Sequence, residues 1–176
     1  LKLKKEGKIR HIGFSTHASF ETTKKFIDTY REHIEFCQIQ LNYLDWTLLE
    51  ANKFVELLKE YNIPIWVMEP VRGGMLAKIS DEYVEKLKVL RPDESVPSWA
   101  FRFLQTIPEV TMILSGMSTK DQLLQNIATF SEYSHSRTVA PGHGSPDRCR
   151  FFPRPGLCLR KRKIFRSQSR TDRKSV

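Results

Sequence analysis

The sequence is poor in several things, and each scarcity excludes something. Only three of its 176 residues are cysteine (Cys37, Cys149 and Cys158). Their spacing makes neither a disulfide framework nor a Cys-x-x-Cys metal pair. No stretch approaches the roughly 18 consecutive apolar residues of a membrane-spanning helix, so no membrane partner is expected. The opening Leu1-Lys2-Leu3-Lys4-Lys5-Glu6 leads into no apolar run of the secretory kind. A cytoplasmic setting is the default expectation. No Met stands at position 1, and a fragment is expected on that ground.

Acidic residues run out toward the carboxyl end. Residues 134–176 hold 2 Asp+Glu against 12 Lys+Arg, a net of +10, whereas residues 1–133 hold 18 against 17, a net of −1. Together these return the whole-chain +9. The basic character therefore belongs to the tail. Residues 1–133 read as a nearly neutral body, with enough apolar content (40% over the whole chain) for a sizeable core.

Within the body, short apolar runs recur at Ile9–Phe14, Phe36–Leu41, Ile63–Met68 and Val110–Leu114. Each is rich in Val, Ile or Phe, as buried parallel strands are. Helical periodicity fills the intervals. Phe26, Ile27 and Tyr30 mark a helix after Ser19. Ala51, Phe54, Val55 and Leu58 follow the i, i+3, i+4, i+7 spacing, with Thr47 and Glu50 at capping-box distance. Val96, Trp99, Ala100, Phe103 and Leu104 repeat the spacing behind Ser95 and Pro97. Leu123, Leu124, Ile127 and Phe130 repeat it again behind Ser118 and Asp121. The order is strand, helix, strand, helix, strand, helix pair, strand, helix, which predicts an α/β fold with a parallel sheet. An open doubly wound sheet and part of a (β/α)8 barrel both fit. Length alone favours the open sheet, since a full barrel needs about 250 residues.

In both architectures ligands bind at the carboxyl ends of the strands. Those ends carry Ser15, Thr16 and His17; then Gln38, Gln40 and Asn42; then Glu69, Val71, Arg72, Gly73 and Gly74; then Gly116, Met117, Ser118 and Thr119. Paired glycines allow close backbone approach. A helix start offers free N–H groups to phosphate, and Arg72 adds a cation with bidentate geometry. Taken together, these features point to phosphate binding. Side-chain amides such as Gln38 and Asn42 can pair with a ligand amide or serve as internal polar contacts. His17 reads as a solvated loop histidine, and Glu69 as a structural ion-pair partner of Arg72. Cys37 reads as a small buried residue. No nucleophile–base set and no metal spacing is visible.

Four segments, in order, resemble a known family. Gly7-Lys8-Ile9-Arg10-His11-Ile12-Gly13-Phe14-Ser15, Gln38-Ile39-Gln40-Leu41-Asn42-Tyr43, Pro70-Val71-Arg72-Gly73-Gly74-Met75-Leu76 and Ile113-Leu114-Ser115-Gly116-Met117-Ser118-Thr119 resemble strands five to eight of the aldo/keto reductases. Asp121-Gln122-Leu123 and Gln125-Asn126 extend the last match. The resemblance covers residues 1 to about 133 and implies the C-terminal half of a (β/α)8 TIM barrel. It implies an NAD(P)-dependent oxidoreductase that moves hydride between nicotinamide and a carbonyl or alcohol substrate.

Carried over by position, Ser15, Thr16 and Gln38 would hold the nicotinamide carboxamide, and Met68 would face the ring. Val71, Arg72, Gly73 and Gly74 would follow the pyrophosphate. Gly116, Met117, Ser118 and Thr119 would hold the adenosine ribose and any 2′-phosphate, and Gln122, Gln125 and Asn126 the adenine end. Gln122 stands where NADP-preferring members often have Arg, so NADP and NAD both stay open, with Lys120 a substitute cation. The family's catalytic Asp, Tyr, Lys and His come from the first half of the barrel. No catalytic residue is therefore assigned, and the chain alone is expected to be inactive. An isolated half would expose two sheet edges, so instability or self-association is expected.

Met117-Ser118-Thr119 with Ala128-Thr129-Phe130-Ser131-Glu132 most resembles a bacterial branch that often continues into a ferredoxin-like segment with Cys-rich iron–sulfur motifs. Cys149 and Cys158 are too far apart for such a motif, and no cluster is expected. The tail, residues 134–176, reads as an out-of-frame continuation or as a disordered basic arm that contacts nucleic acid through phosphates. The alternative function is accordingly a non-catalytic half-barrel whose basic tail contacts nucleic acid or a partner protein.

Overall fold

The computed structural model describes residues 1–138, with side chains as far as Ser131. Cys149, Cys158 and the basic tail beyond Thr138, with its alternative readings, lie outside the described residues, while residues 134–138 end the last helix. The elements run α1 (Lys2–Lys5), β1 (Gly13–Thr16), α2 (Phe20–Tyr30), β2 (Phe36–Gln40), α3 (Asp45–Leu48), α4 (Ala51–Glu60), β3 (Ile65–Met68), α5 (Asp81–Leu90), α6 (Val96–Gln105), β4 (Val110–Ile113) and α7 (Lys120–Thr138). Two 3-10 turns, Arg31–His33 and Met75–Ala77, complete the set.

The four strands form one sheet in the order β1-β2-β3-β4, with every neighbouring pair parallel. Each strand thus lies beside its predecessor. A doubly wound sheet reverses its strand order at a switch point; this sheet has no reversal, and its order matches part of a barrel.

Strand alternation sorts side chains onto two faces. Cys37, Ile39, Ile65 and Val67 are buried among Ile27 of α2, Val55 and Leu58 of α4, and Phe103 and Leu104 of α6. Each such aliphatic burial stabilises by about 1.5–3 kcal/mol. The opposite face carries Phe36, Gln38, Gln40, Trp66 and Met68, all half-buried. There the Phe36 ring stacks on Trp66 at 3.8 Å between centroids, and among the described residues no element of the core cluster lies on that face. Strict alternation along β4 would put Val110 and Met112 on one face. A bulge re-phases the strand: Ile65 pairs with Val110 but Trp66 with Met112, leaving Thr111 as the extra residue. Val110 and Ile113 then both reach the core, while Met112 turns to the open face.

Several expectations shift. The first strand starts at Gly13 rather than Ile9, because β2 begins at Phe36, the partner of Gly13, and offers upstream only the Glu35 N–H to the Ile12 carbonyl. The third starts at Ile65 rather than Ile63. Thr47 does not cap α4: it lies inside the separate short helix α3, and Glu50 takes the N-cap position in the left-handed region (φ 52°) with no side-chain cap. Ser19 and Ser95 do precede α2 and α6, and the Ser19 hydroxyl accepts from Thr22 N at 3.2 Å. Phe101, outside the expected apolar spacing of α6, is buried and packs its ring 5.5 Å from that of Phe130.

Candidate functional site

The carboxyl ends of β1, β2 and β3 bring three of the expected residues together on the open face. Ser15 and Gln38 are register partners. Both point at the sulfur of Met68, Ser15 Oγ from 3.8 Å and Gln38 Nε2 from 3.5 Å. The result is a small polar platform with a hydroxyl, a carboxamide and a polarisable thioether. Thr16 stands apart. The alternation of β1 turns its side chain toward α2, where its hydroxyl meets Thr23 Oγ1 at 3.0 Å and accepts from Ala18 N.

Asn42, two residues beyond β2, is completely buried and fully satisfied. Its Nδ2 donates to Asp45 Oδ2 at 2.6 Å and to the Glu69 carbonyl at 3.0 Å, and its Oδ1 accepts from the N–H groups of Leu44 and Asp45. Of its two sequence readings, the internal contact is the one seen. Gln40 Nε2 also donates to Asp45 Oδ2, at 2.8 Å. Asp45 is likewise fully buried, and its Oδ1 lies 3.1 Å from Arg72 Nε. That contact is an ion pair off the axis of an aligned hydrogen bond. The expected partner of Arg72 was Glu69. The partner found is Asp45, because the β2–β3 pairing carries the start of α3 under the loop that follows β3, whereas Glu69 is exposed.

That loop turns tightly. Glu69, Arg72, Gly73 and Gly74 all have positive φ (57°, 49°, 60° and 89°). Arg72 N donates to Glu69 O, and Gly74 N and Leu76 N to Val71 O. A Cβ on Gly74 would meet nothing within 4 Å, so its requirement is conformational, a φ that L-residues seldom adopt. The N–H groups of Val71 and Gly73 donate to no acceptor among the described residues.

At the end of β4 the segment Ser115 to Thr119 runs into α7. The capping box sits one residue later than expected. Thr119 Oγ1 accepts from Gln122 N at 3.2 Å, while Gln122 Oε1 accepts from Ser118 N at 2.8 Å and Thr119 N at 3.2 Å. Ser118 and Asp121 therefore do not form it; Asp121 lies in the first turn. Asn126 Nδ2 donates to Ser115 Oγ at 3.0 Å, pinning the loop to the helix. Gly116, Met117, Ser118, Thr119, Gln122 and Gln125 are all exposed around this helix start.

Burial pushes the Cys37 thiol up to about 12 and raises the Tyr43 hydroxyl as well. Cys37 is the buried small residue its sequence setting implies. His17 is exposed. Among the described residues no group of three His, Cys, Asp or Glu is placed to hold a metal. No described helix is long and apolar enough to cross a membrane. Sequence reasoning missed Asp45. The signal was a lone carboxylate amid Leu41, Tyr43, Leu44, Trp46, Leu48 and Leu49, a setting where a charge needs a partner.

Comparison with known proteins gives a consistent result. The sequence model described as "Aldo/keto reductase family" matches residues 1–139. The holo form of aldo-keto reductase AKR11C1 from Bacillus halodurans aligns with a TM-score of 0.57 and 22% identity, over 83% of this chain and 55% of that one. The thermostable aldo-keto reductase Tm1743, in complex with the inhibitor epalrestat, aligns with a TM-score of 0.59 and 18% identity, over 74% of this chain and 46% of that one. The chain thus spans about half the length of these structures. No curated protein matches it.

Proposed function

Because the chain belongs to the aldo/keto reductase family, we propose that it is the cofactor-binding half of a nicotinamide-dependent oxidoreductase, corresponding to strands five to eight of the barrel. The consecutive, all-parallel strand order supports the placement. So does the succession of a Gly-Gly loop after β3 and a capped helix start after β4.

The observation that carries the reading is the convergence of Ser15, Gln38 and Met68 at adjacent strand ends. A carboxamide ligand needs a donor and an acceptor side by side, and the Ser15 hydroxyl and Gln38 amide supply both. Met68 offers a soft apolar surface to a flat ring. The free N–H groups of Val71 and Gly73 suit a pyrophosphate. Gly116, Met117, Ser118 and Thr119, at the start of α7, suit a ribose and its phosphate. Gln125 and Asn126 lie one turn further along for the adenine. Thr16, turned to α2, acts as a local cap, and Gln122 acts by holding Ser118 and Thr119 in place. Bound nicotinamide supplies or accepts the hydride exchanged with a carbonyl or alcohol carbon. The proton donor is proposed to lie in the first half of the barrel, so this chain binds without completing the reaction. Of the two cofactors NADP is preferred, with Lys120 at the start of α7 as the phosphate's cation.

The test is titration with NADPH and NADH, followed by cofactor fluorescence, for the chain alone and for the chain co-expressed with the first half of a family member. Binding is expected at least in the complemented form, weakened about tenfold by Gln38→Ala through one lost charge-neutral contact pair. No binding in either form would overturn the proposal.

A further inference from the structure

We propose that Asp45 is a positioning residue, which holds the loop after β3 in shape through Arg72. The claim about the loop stands on geometry; the claim about what the loop then binds rests on the cofactor reading above.

Four observations carry it. First, Asp45 is completely buried, and an isolated carboxylate in such a place is strongly unfavourable. Secondly, its two oxygens are divided. Oδ2 takes the amides of Gln40 and Asn42, and Oδ1 faces Arg72 Nε alone. The amides fix the carboxylate; the guanidinium is what the carboxylate fixes in turn. Thirdly, Arg72 adopts φ 49°, a left-handed conformation that a non-glycine residue keeps only where its surroundings impose it. Its side chain reaches inward, being only 27% exposed. Fourthly, Asn42 bonds the Glu69 carbonyl, so the same cluster grips the loop at both sides of its turn.

The consequence differs from what Arg72 implies as a sequence feature. Its charge is already matched by Asp45, so it is not a free cation waiting for an anion. It is a strut. Anion contact at this loop falls to the backbone N–H groups of Val71 and Gly73, which the strut holds in position.

Asp45→Asn separates the parts. Asparagine keeps one oxygen for the two amide donors and presents its own NH2 to the guanidinium, so it releases Arg72 while preserving shape and leaving no buried carboxylate. Hydrogen exchange of the bonded backbone amides of Arg72, Gly74, Met75 and Leu76 is expected to speed up about tenfold, while those of β2 and β3 keep their protection. The double variant Asp45→Asn with Arg72→Met should exchange no faster than Asp45→Asn alone, since both remove one link. NADPH binding to the full chain, in whichever form the wild type binds it, should weaken about fivefold with the melting temperature little changed. Unchanged exchange at Arg72, Gly74, Met75 and Leu76 would overturn the proposal. So would faster exchange spread equally over the sheet, which would make Asp45 an ordinary core residue. If the wild type binds no NADPH, the cofactor reading fails, and the exchange result still decides the role of Asp45.

Discussion

A single missing side chain shapes the open face of the sheet. A Cβ on Gly13 would lie 2.4 Å from the ring of Phe36. The ring cannot simply withdraw, because its other side is stacked on Trp66. Gly13→Ala is therefore expected to destabilise by about 1–3 kcal/mol, the usual range for overpacking, measured as a lower urea midpoint. Adding Phe36→Ala should recover part of that loss relative to Phe36→Ala alone; a strictly additive pair would contradict the close approach. Single residues were unevenly legible in the sequence. The face of Gln38 was legible, because period-two spacing in an apolar run sets it opposite the buried Cys37 and Ile39. The partnership of Arg72 was not. Glu69 is near in sequence, but the residue that meets the guanidinium comes from 27 positions earlier (Asp45 against Arg72) and is delivered by strand pairing.

Elements with a period of their own were easier to foresee than those held by a few contacts. α2, α4, α6 and α7 announced themselves by apolar spacing, and β2 and β4 by their runs. α1 and α3 have four residues each, about one helical turn, and one turn has no periodicity to detect. The bulge in β4 was invisible for a related reason: alternation in a five-residue run does not say which residue will be skipped. α1 illustrates an element tied down by side chains, since none of its residues is buried. Lys4 and then His11 hydrogen-bond Glu35 and hold its carboxyl down to about 2. A depressed carboxylate stabilises the folded state above its ordinary value of 4.5, and that contribution fades as pH falls from 4.5 toward 2. Glu35→Gln is thus expected to lower stability near neutral pH and to flatten the acid limb of the pH profile. Thermal melts from pH 7 to pH 2 would check it. Identical acid limbs in the two proteins would contradict the assignment.

On the scale of the molecule, apolar side chains stand at both flanks of the sheet. Phe26 and Tyr30 of α2 are 40% and 49% exposed on the β1 side, and Met112, Leu123 and Ile127 are 41%, 44% and 51% exposed on the β4 side. Among the described residues the outer edges of β1 and β4 have no strand partner. Such edges and patches favour association. The chain alone is expected to run as dimers or larger species in size-exclusion chromatography with light scattering, or to unfold without a cooperative transition. A monodisperse monomer with a sharp transition would contradict this. The parallel α/β architecture was legible from the order of elements. Length pointed to the open sheet; the barrel-type arrangement was legible only through the resemblance of four segments to a known family, and the strand order fits it.

That strand order also bears on how the fold is reached. Each strand after β1 pairs with the one made just before it, so no gap in the sheet waits for a later segment. During synthesis each new strand–helix unit can dock as soon as it leaves the ribosome, with its neighbour already in place. The earlier strand is the template for the next, and the search for partners stays short at every step.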